Sequence, residues 1–187
     1  MDFFVLEWHE VTDYLLSMAR QIDELPDRPD LIVAIARGGL VPARILSDLL
    51  GLPVASFTVS SYKGLTRNDD MHMSFGIGGR LDGRHVLLVD DVSDSGQTFL
   101  RAINYLKKHG AQKVTTAAIF TKPKTTHVPD IFSTSTDKWV IFPFDLLENL
   151  RDIRAKWNAE GISDDEIQFR FMGMKVLPSY WKPLFEP

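Results

Sequence analysis

The segment 85-HVLLVDDVSDSGQTF-99 sets four aliphatic residues directly against two adjacent aspartates, a third aspartate three positions later, and then Ser-Gly-Gln-Thr. Val86-Leu87-Leu88-Val89 has no polar alternation, so it reads as a strand covered on both faces, the pattern of a parallel sheet flanked by helices. A carboxylate at the end of such a strand costs on the order of several kcal/mol to take out of water unless a cation or hydrogen-bond donors meet it. Asp90 and Asp91 are therefore expected to face a ligand: their hard oxygens suit a divalent cation or paired sugar hydroxyls. Thr98 to His109 reads as a helix stopped by Gly110. Its opening residues, Ser95-Gly96-Gln97-Thr98, place backbone N–H groups and small side chains where a phosphate fits. Asp94 lies between the two features. A diol with a cation, a phosphate and a third carboxylate near both describe a phosphorylated sugar held for reaction at its anomeric carbon.

Outward from this stretch the same unit recurs. Leu31 to Ala36 is an apolar run, Gly38-Gly39 a break, and Leu40 to Leu50 a helical pattern closed by Gly51 and Pro53. "PVASFTV" reads as a strand, 61-SYKGLTRNDDMHMSFGIGGRLDG-83 as a long polar loop, Val114 to Phe120 as a strand and "KWVIF" as a short last one. Val11, Tyr14, Leu15, Met18, Ala19 and Ile22 recur at helical spacing, so a first amphipathic helix ends before Pro26. Alternating strands and helices predict an α/β fold: a mainly parallel twisted sheet flanked by helices, with right-handed crossovers. In such sheets ligands sit outside the carboxyl ends of the strands, where residues 37–39 and 90–98 both fall. A loop of roughly 20 residues is longer than compact domains usually carry, which implies either a disordered segment or a lid closing over a ligand. From Asp145 onward the text changes: Leu146 to Ala159 is helical and charged, and Ser163 to Glu166 has capping-box spacing. The tail "VLPSYWKPLFEP" is aromatic and proline-rich.

Composition excludes several classes. The 187 residues hold no cysteine, so disulfide scaffolds, thiolate metal sites and cysteine nucleophiles are out. With 21 basic and 25 acidic residues the formal charge is −4, which gives no field for gripping nucleic acid. The start lacks a basic signal region and no window approaches the ~18 apolar residues of a membrane span, so a cytoplasmic protein is expected. "GIGGR" at 76–80 lacks the dinucleotide spacing, no Gly-Lys-Ser/Thr loop or Gly-x-Ser-x-Gly elbow occurs, and the five histidines are scattered.

"VLLVDDVSDSGQT" resembles the phosphoribosyl diphosphate signature of the type I phosphoribosyltransferases, and the likeness extends over roughly residues 8 to 145. "AIARGGLVPARIL" is similar to the family's diphosphate loop, which implies that Arg37, Gly38 and Gly39 bind the leaving diphosphate and that the Ala36–Arg37 peptide is cis. "SSYKG" resembles the start of the mobile hood, with Ser61 and Tyr62 at its hinge. "IFTKP" followed by "DKWVIFPFD" resembles the base pocket of the purine salvage branch, in particular the xanthine-guanine and hypoxanthine enzymes. The resemblance implies that Lys122 contacts the exocyclic oxygen at C6, Trp139 stacks on the purine and the Val140 backbone meets its Watson–Crick edge. It further implies Asp94 as the residue handling the N7 proton. Asp90, Asp91, Ser95, Gly96, Gln97 and Thr98 would hold phosphoribosyl diphosphate, with Mg2+ on Asp90 and Asp91 and, in some relatives, an aspartate matching Asp145.

The implied reaction transfers a 5-phosphoribosyl group from phosphoribosyl diphosphate to a 6-oxopurine (xanthine, guanine or hypoxanthine), giving the nucleoside 5'-monophosphate and diphosphate. A phosphoribosyltransferase acting on another base, or a non-catalytic sensor of phosphoribosyl diphosphate or nucleotide, is the alternative. The sensor would need a basic face or a DNA-binding module. The expected organisation is a catalytic core over 1–145, with the hood at about 60–80, and an extension over 146–187 packing on the core or a neighbouring subunit of a homo-oligomer.

Overall fold

The computed structural model describes residues 2–60 and 72–186 and divides into two compact units, Thr12–Asp137 and a second made of Met1–Val11 with Lys138–Pro187. The sequence expectation cuts the chain once, at residue 145; these units instead join the N-terminal residues to the C-terminal ones.

The larger unit is built on a six-stranded sheet of β2 (Leu31–Ala36), β3 (Val54–Ser60), β4 (His72–Phe75), β5 (His85–Ser93), β6 (Lys113–Thr121) and β7 (Ile131–Ser135). Their order is β4-β3-β2-β5-β6-β7, and every pairing is parallel except β3 with β4 at the edge. β2 and β5 occupy the centre because their runs of Leu, Ile, Val and Ala tolerate burial on both faces. Helix α1 (Trp8–Asp23) buries Leu15, Met18, Ala19 and Ile22. Helix α2 (Leu40–Leu50) ends at Gly51, whose φ of 67° lets its N–H reach the Ser47 carbonyl at 3.0 Å. Helix α3 (Gln97–Lys108) buries Phe99, Ala102 and Leu106 against Val33, Ile35, Phe57, Val86 and Leu88. Each of these large side chains contributes about 1.5–3 kcal/mol by leaving water.

Three differences from the sequence expectation have plain causes. β5 continues to Ser93, past both aspartates, because Asp90, Val92 and Ser93 still pair in parallel with β6. β4 lies inside the stretch read as one polar loop, and β7 follows a Pro-Asp pair with only one fully buried residue, too little for an apolar run to announce it. "KWVIF" forms β8 (Trp139–Ile141), yet β8 is no part of the main sheet: it pairs in parallel with β1 (Phe3–Val5) in the smaller unit.

That unit adds helices α4 (Leu146–Ala159), α5 (Asp164–Gly173) and α6 (Pro178–Trp181) to the two strands. Ile141, Leu150, Ile153, Ile167, Phe171 and Trp181 form its core. The Ser163 hydroxyl accepts the Glu166 N–H and starts α5 as the capping spacing implies, while Arg154 holds Asp164 at 2.7 Å. Among the described residues no helix is long and apolar enough to cross a membrane.

Candidate active site

Asp90 is buried in the carboxyl-terminal half of β5, three residues before Ser93, and Asp91 follows it half-buried. The Asp91 N–H donates to Asp90 Oδ1 at 3.1 Å and the Val92 N–H to Asp91 Oδ1 at 2.7 Å, so the local backbone cradles both carboxylates. The glycine pair after β2 closes on them. A Cβ on Gly38 would lie 2.5 Å from Asp91 Oδ2, and one on Gly39 would meet the Val89 and Ile35 carbonyls. Only glycine permits that approach. The Ala36–Arg37 peptide leading into the pair is cis, and Arg37 itself is exposed.

Burial first, and then the neighbouring Asp91 charge, push the Asp90 carboxyl well above the ordinary aspartate range, against the opposing pull of the Asp91 and Gly39 N–H groups. Burial also raises Asp91, against hydrogen bonds from the Val92 N–H and its own. Two adjacent carboxylates, one buried and one half-buried, fit a divalent cation, which favours their charged form. Among the described residues no three His, Cys, Asp or Glu side chains gather into a metal cage. Magnesium held by one or two carboxylates and completed by substrate oxygens and water needs none.

Beyond Ser93 the chain turns through Asp94 and Ser95, both exposed, into Gly96, whose φ is 79°. Gly96 is the N-cap of α3 and supplies no side chain to the helix's opening N–H groups; the Gln97 N–H donates to Ser95 Oγ at 3.4 Å, and a helix start of this kind suits an anion. A Cβ there would lie 2.8 Å from Thr125 Oγ1 and would meet the His127 backbone nitrogen. The left-handed φ and the crowding both demand glycine.

The phosphoribosyl transferase domain matches residues 5–149 of this chain. Over 149 residues the chain is 32% identical to the xanthine-guanine phosphoribosyltransferase of Idiomarina loihiensis, covering 78% of this chain and 88% of that protein. The chain belongs to the phosphoribosyltransferase family. It is also 28% identical to xanthine phosphoribosyltransferase 1 of Saccharomyces cerevisiae, covering 83% of this chain and 95% of the yeast protein. The crystal structure of a purine phosphoribosyltransferase from Pyrococcus horikoshii superposes with a TM-score of 0.71 at 38% identity, covering 77% of this chain and 94% of that one.

In this phosphoribosyltransferase the segment after β6 is stitched to the Asp94–Gln97 loop. The Lys122 N–H donates to the Ser93 carbonyl at 3.0 Å, and the Thr126 N–H and hydroxyl donate to the Ser95 carbonyl at 3.0 and 2.7 Å. Ser93 Oγ donates to the His127 carbonyl at 2.7 Å and lies 3.0 Å from Thr125 Oγ1. The Gln97 side-chain amide donates to Thr126 Oγ1 at 3.1 Å and so braces the loop, while its backbone N–H donates to Ser95 Oγ at 3.4 Å. Sequence reasoning missed Thr125, Thr126 and His127. Their signal was thin: a polar, threonine-bearing turn between two strands, with partners about thirty residues away.

The stitching brings Lys122 and Asp94 into electrostatic reach. Burial lowers the Lys122 pKa, and the Asp94 and Asp137 charges oppose that lowering. Thr98 is half-buried in the first turn of α3. Ser61 and Tyr62, with most of the expected hood, lie outside the described residues.

Trp139, Val140 and Asp145 belong to the smaller unit. Val140 is buried in β8 opposite Phe4, and the Trp139 N–H donates to the Asp2 carbonyl at 2.8 Å. Trp139 is 45% exposed, with its indole N–H donated to Asn149 Oδ1 at 2.7 Å. Asp145 precedes α4, and its Oδ1 accepts the Phe142 N–H at 2.8 Å. Asn149 is a further residue that sequence reasoning passed over, since an asparagine within a charged helix carries no signal of its own.

Proposed function

We propose that the protein transfers the 5-phosphoribosyl group of phosphoribosyl diphosphate to N9 of a 6-oxopurine, releasing diphosphate, as a cytoplasmic enzyme of purine salvage. One observation carries the reading. The Asp90–Asp91 pair, buried and half-buried, closed by Gly38-Gly39 and followed by a helix start at Gly96 with no side-chain cap from that residue, offers a cation and diol site beside a phosphate site in a member of the phosphoribosyltransferase family. The choice of base is supported by relatives named for xanthine and guanine.

Asp90 and Asp91 bind the ribose hydroxyls and magnesium, and the backbone of Ser95 to Thr98 binds the 5-phosphate. Magnesium, when bound, neutralises negative charge building on the departing diphosphate. Arg37 and the Gly38 N–H meet the same charge from the protein, while Gly39, whose N–H donates to the Ile35 carbonyl at 2.9 Å, allows the close approach of the loop. As the anomeric C–O bond breaks, C1 becomes oxocarbenium-like, and the purine nitrogen attacks it. Asp94 accepts or stabilises the proton leaving N7. Lys122 donates to the C6 oxygen, Trp139 stacks on the ring and the Val140 backbone meets the Watson–Crick edge. The hood from Ser61 and Tyr62 excludes water, which would otherwise capture the same cation and waste the substrate. Asp145, its Oδ1 engaged with a backbone N–H, is the weakest metal ligand of the set. The enzyme works as a homo-oligomer, a view supported by exposed Phe169, Met172, Leu177 and Tyr180; a monomeric mass in sedimentation at all concentrations would contradict it.

Diphosphate release with xanthine, guanine, hypoxanthine, adenine, orotate, uracil and nicotinate, supplied singly, tests the function. Turnover is expected with one or more 6-oxopurines, abolished by EDTA and restored by Mg2+. Turnover with another base alone overturns the pocket assignment, and tight phosphoribosyl diphosphate binding without turnover favours a sensor.

A further inference from the structure

Trp139 presents an unusual combination for a large aromatic residue. The residue is 45% exposed, yet the single polar atom of its side chain is tied to Asn149, a residue that is itself only 9% exposed. The indole nitrogen can only donate, so the amide must turn its oxygen toward it. The other end of the amide then points its nitrogen at the Asp145 carbonyl, 3.2 Å away, which can only accept. Both partners agree, so the amide has one satisfied orientation. Asn149 sits in the first turn of α4, where its own backbone N–H also donates to the Asp145 carbonyl at 3.1 Å. The Asp145 carboxylate in turn accepts from Phe142, fixing the turn between β8 and the helix. The chain of contacts runs from a rigid helix start through Asn149 to the edge of an exposed ring. An exposed tryptophan held only by its backbone would sample several χ2 settings; a hydrogen bond at Nε1 selects one.

We infer that Asn149 is a positioning residue for the purine: it fixes the plane of Trp139, so that the exposed indole face is presented ready for stacking. This inference rests on the base-stacking role given to Trp139 under the proposed function. Its effect belongs to base binding, because a free ring would have to be ordered when the base arrives and that ordering weakens affinity.

Two measurements separate the inference from its premise. In wild-type enzyme labelled with 15N-tryptophan, the indole N–H of Trp139, assigned by its absence in Trp139→Phe, is expected to exchange with solvent more slowly than an exposed indole. In Asn149→Leu that protection is lost. Steady-state kinetics should then show the base KM of Asn149→Leu raised about 3- to 10-fold, with kcat and the phosphoribosyl diphosphate KM held within about 2-fold. In a Trp139→Phe background, which has no N–H to hold, Asn149→Leu should add nothing to the base KM. Fast exchange in the wild type overturns the inference even if the variant fails to fold. An equal KM rise in both backgrounds, or a loss confined to kcat, makes Asn149 a structural residue only. Protection of the indole with an unchanged base KM in Trp139→Ala removes the stacking premise instead, while leaving the hydrogen bond in place.

Discussion

Asp90 contributes to the pH dependence of stability. Because burial and the Asp91 charge raise its pKa in the folded chain, the folded state holds that proton more tightly than the unfolded state does. The group's favourable contribution is therefore full below the ordinary aspartate pKa of about 3.9 and is lost as pH rises through the raised folded value. At neutral pH, without a divalent cation, the pair works against stability. Asp90→Asn, which keeps an acceptor for the Asp91 N–H, should raise the melting temperature at pH 7 in EDTA by a few degrees, at ~2–4 °C per kcal/mol for a chain of this size. The gain should shrink as pH falls towards 4, and a destabilised variant at pH 7 would refute the account. Asp94 is different in kind, exposed beyond the end of β5. Asp94→Asn should lower kcat by ~10²-fold or more while phosphoribosyl diphosphate binding, followed by calorimetry, stays nearly intact; equal losses in both would make its role structural. The carboxylates were legible in the sequence because two acids at the end of an apolar strand violate a burial rule locally. Thr126 and Asn149 break no such rule. Thr126 acts on Ser95, 31 positions away, and Asn149 on Trp139 from within an ordinary charged helix.

At the scale of elements, the junction of β5 and α3 carries the site. Gly96→Ala adds a Cβ at φ 79° and drives it against Thr125 and His127. Gly51→Ala meets a similar φ, 67°, with nothing within 4 Å. Gly51→Ala should cost about 1 kcal/mol in urea unfolding, the usual left-handed penalty, and leave catalysis alone. Gly96→Ala should cost more and also weaken phosphoribosyl diphosphate binding. Equal costs for the two would mean that the Thr125–His127 segment yields freely and braces nothing. Central strands and helices β2, β5, β6, α2, α3 and α4 were legible because long apolar runs, helical periodicity and glycine stops agree there. β1, of three residues, is too short for any period to show; β4 and β7 sit at the two sheet edges, and β7 buries only Ile131 fully, so no long apolar run announces it.

For the whole molecule, alternating strands and helices announced the parallel sheet, whereas the grouping of residues 1–11 with 138–187 was hidden. β1 and β8 are separated by more than a hundred residues, and only three residue pairs join them. Nothing local in Phe3–Val5 names Trp139–Ile141 as its partner. The most direct test supplies the full-length protein with Mg2+, phosphoribosyl diphosphate and an equimolar mixture of xanthine, guanine, hypoxanthine and adenine, and identifies the nucleotide products by mass spectrometry. The account predicts monophosphates of one or more 6-oxopurines, formed in equal amount with diphosphate, and no AMP. AMP as the main product, or diphosphate released without any nucleotide, would contradict it.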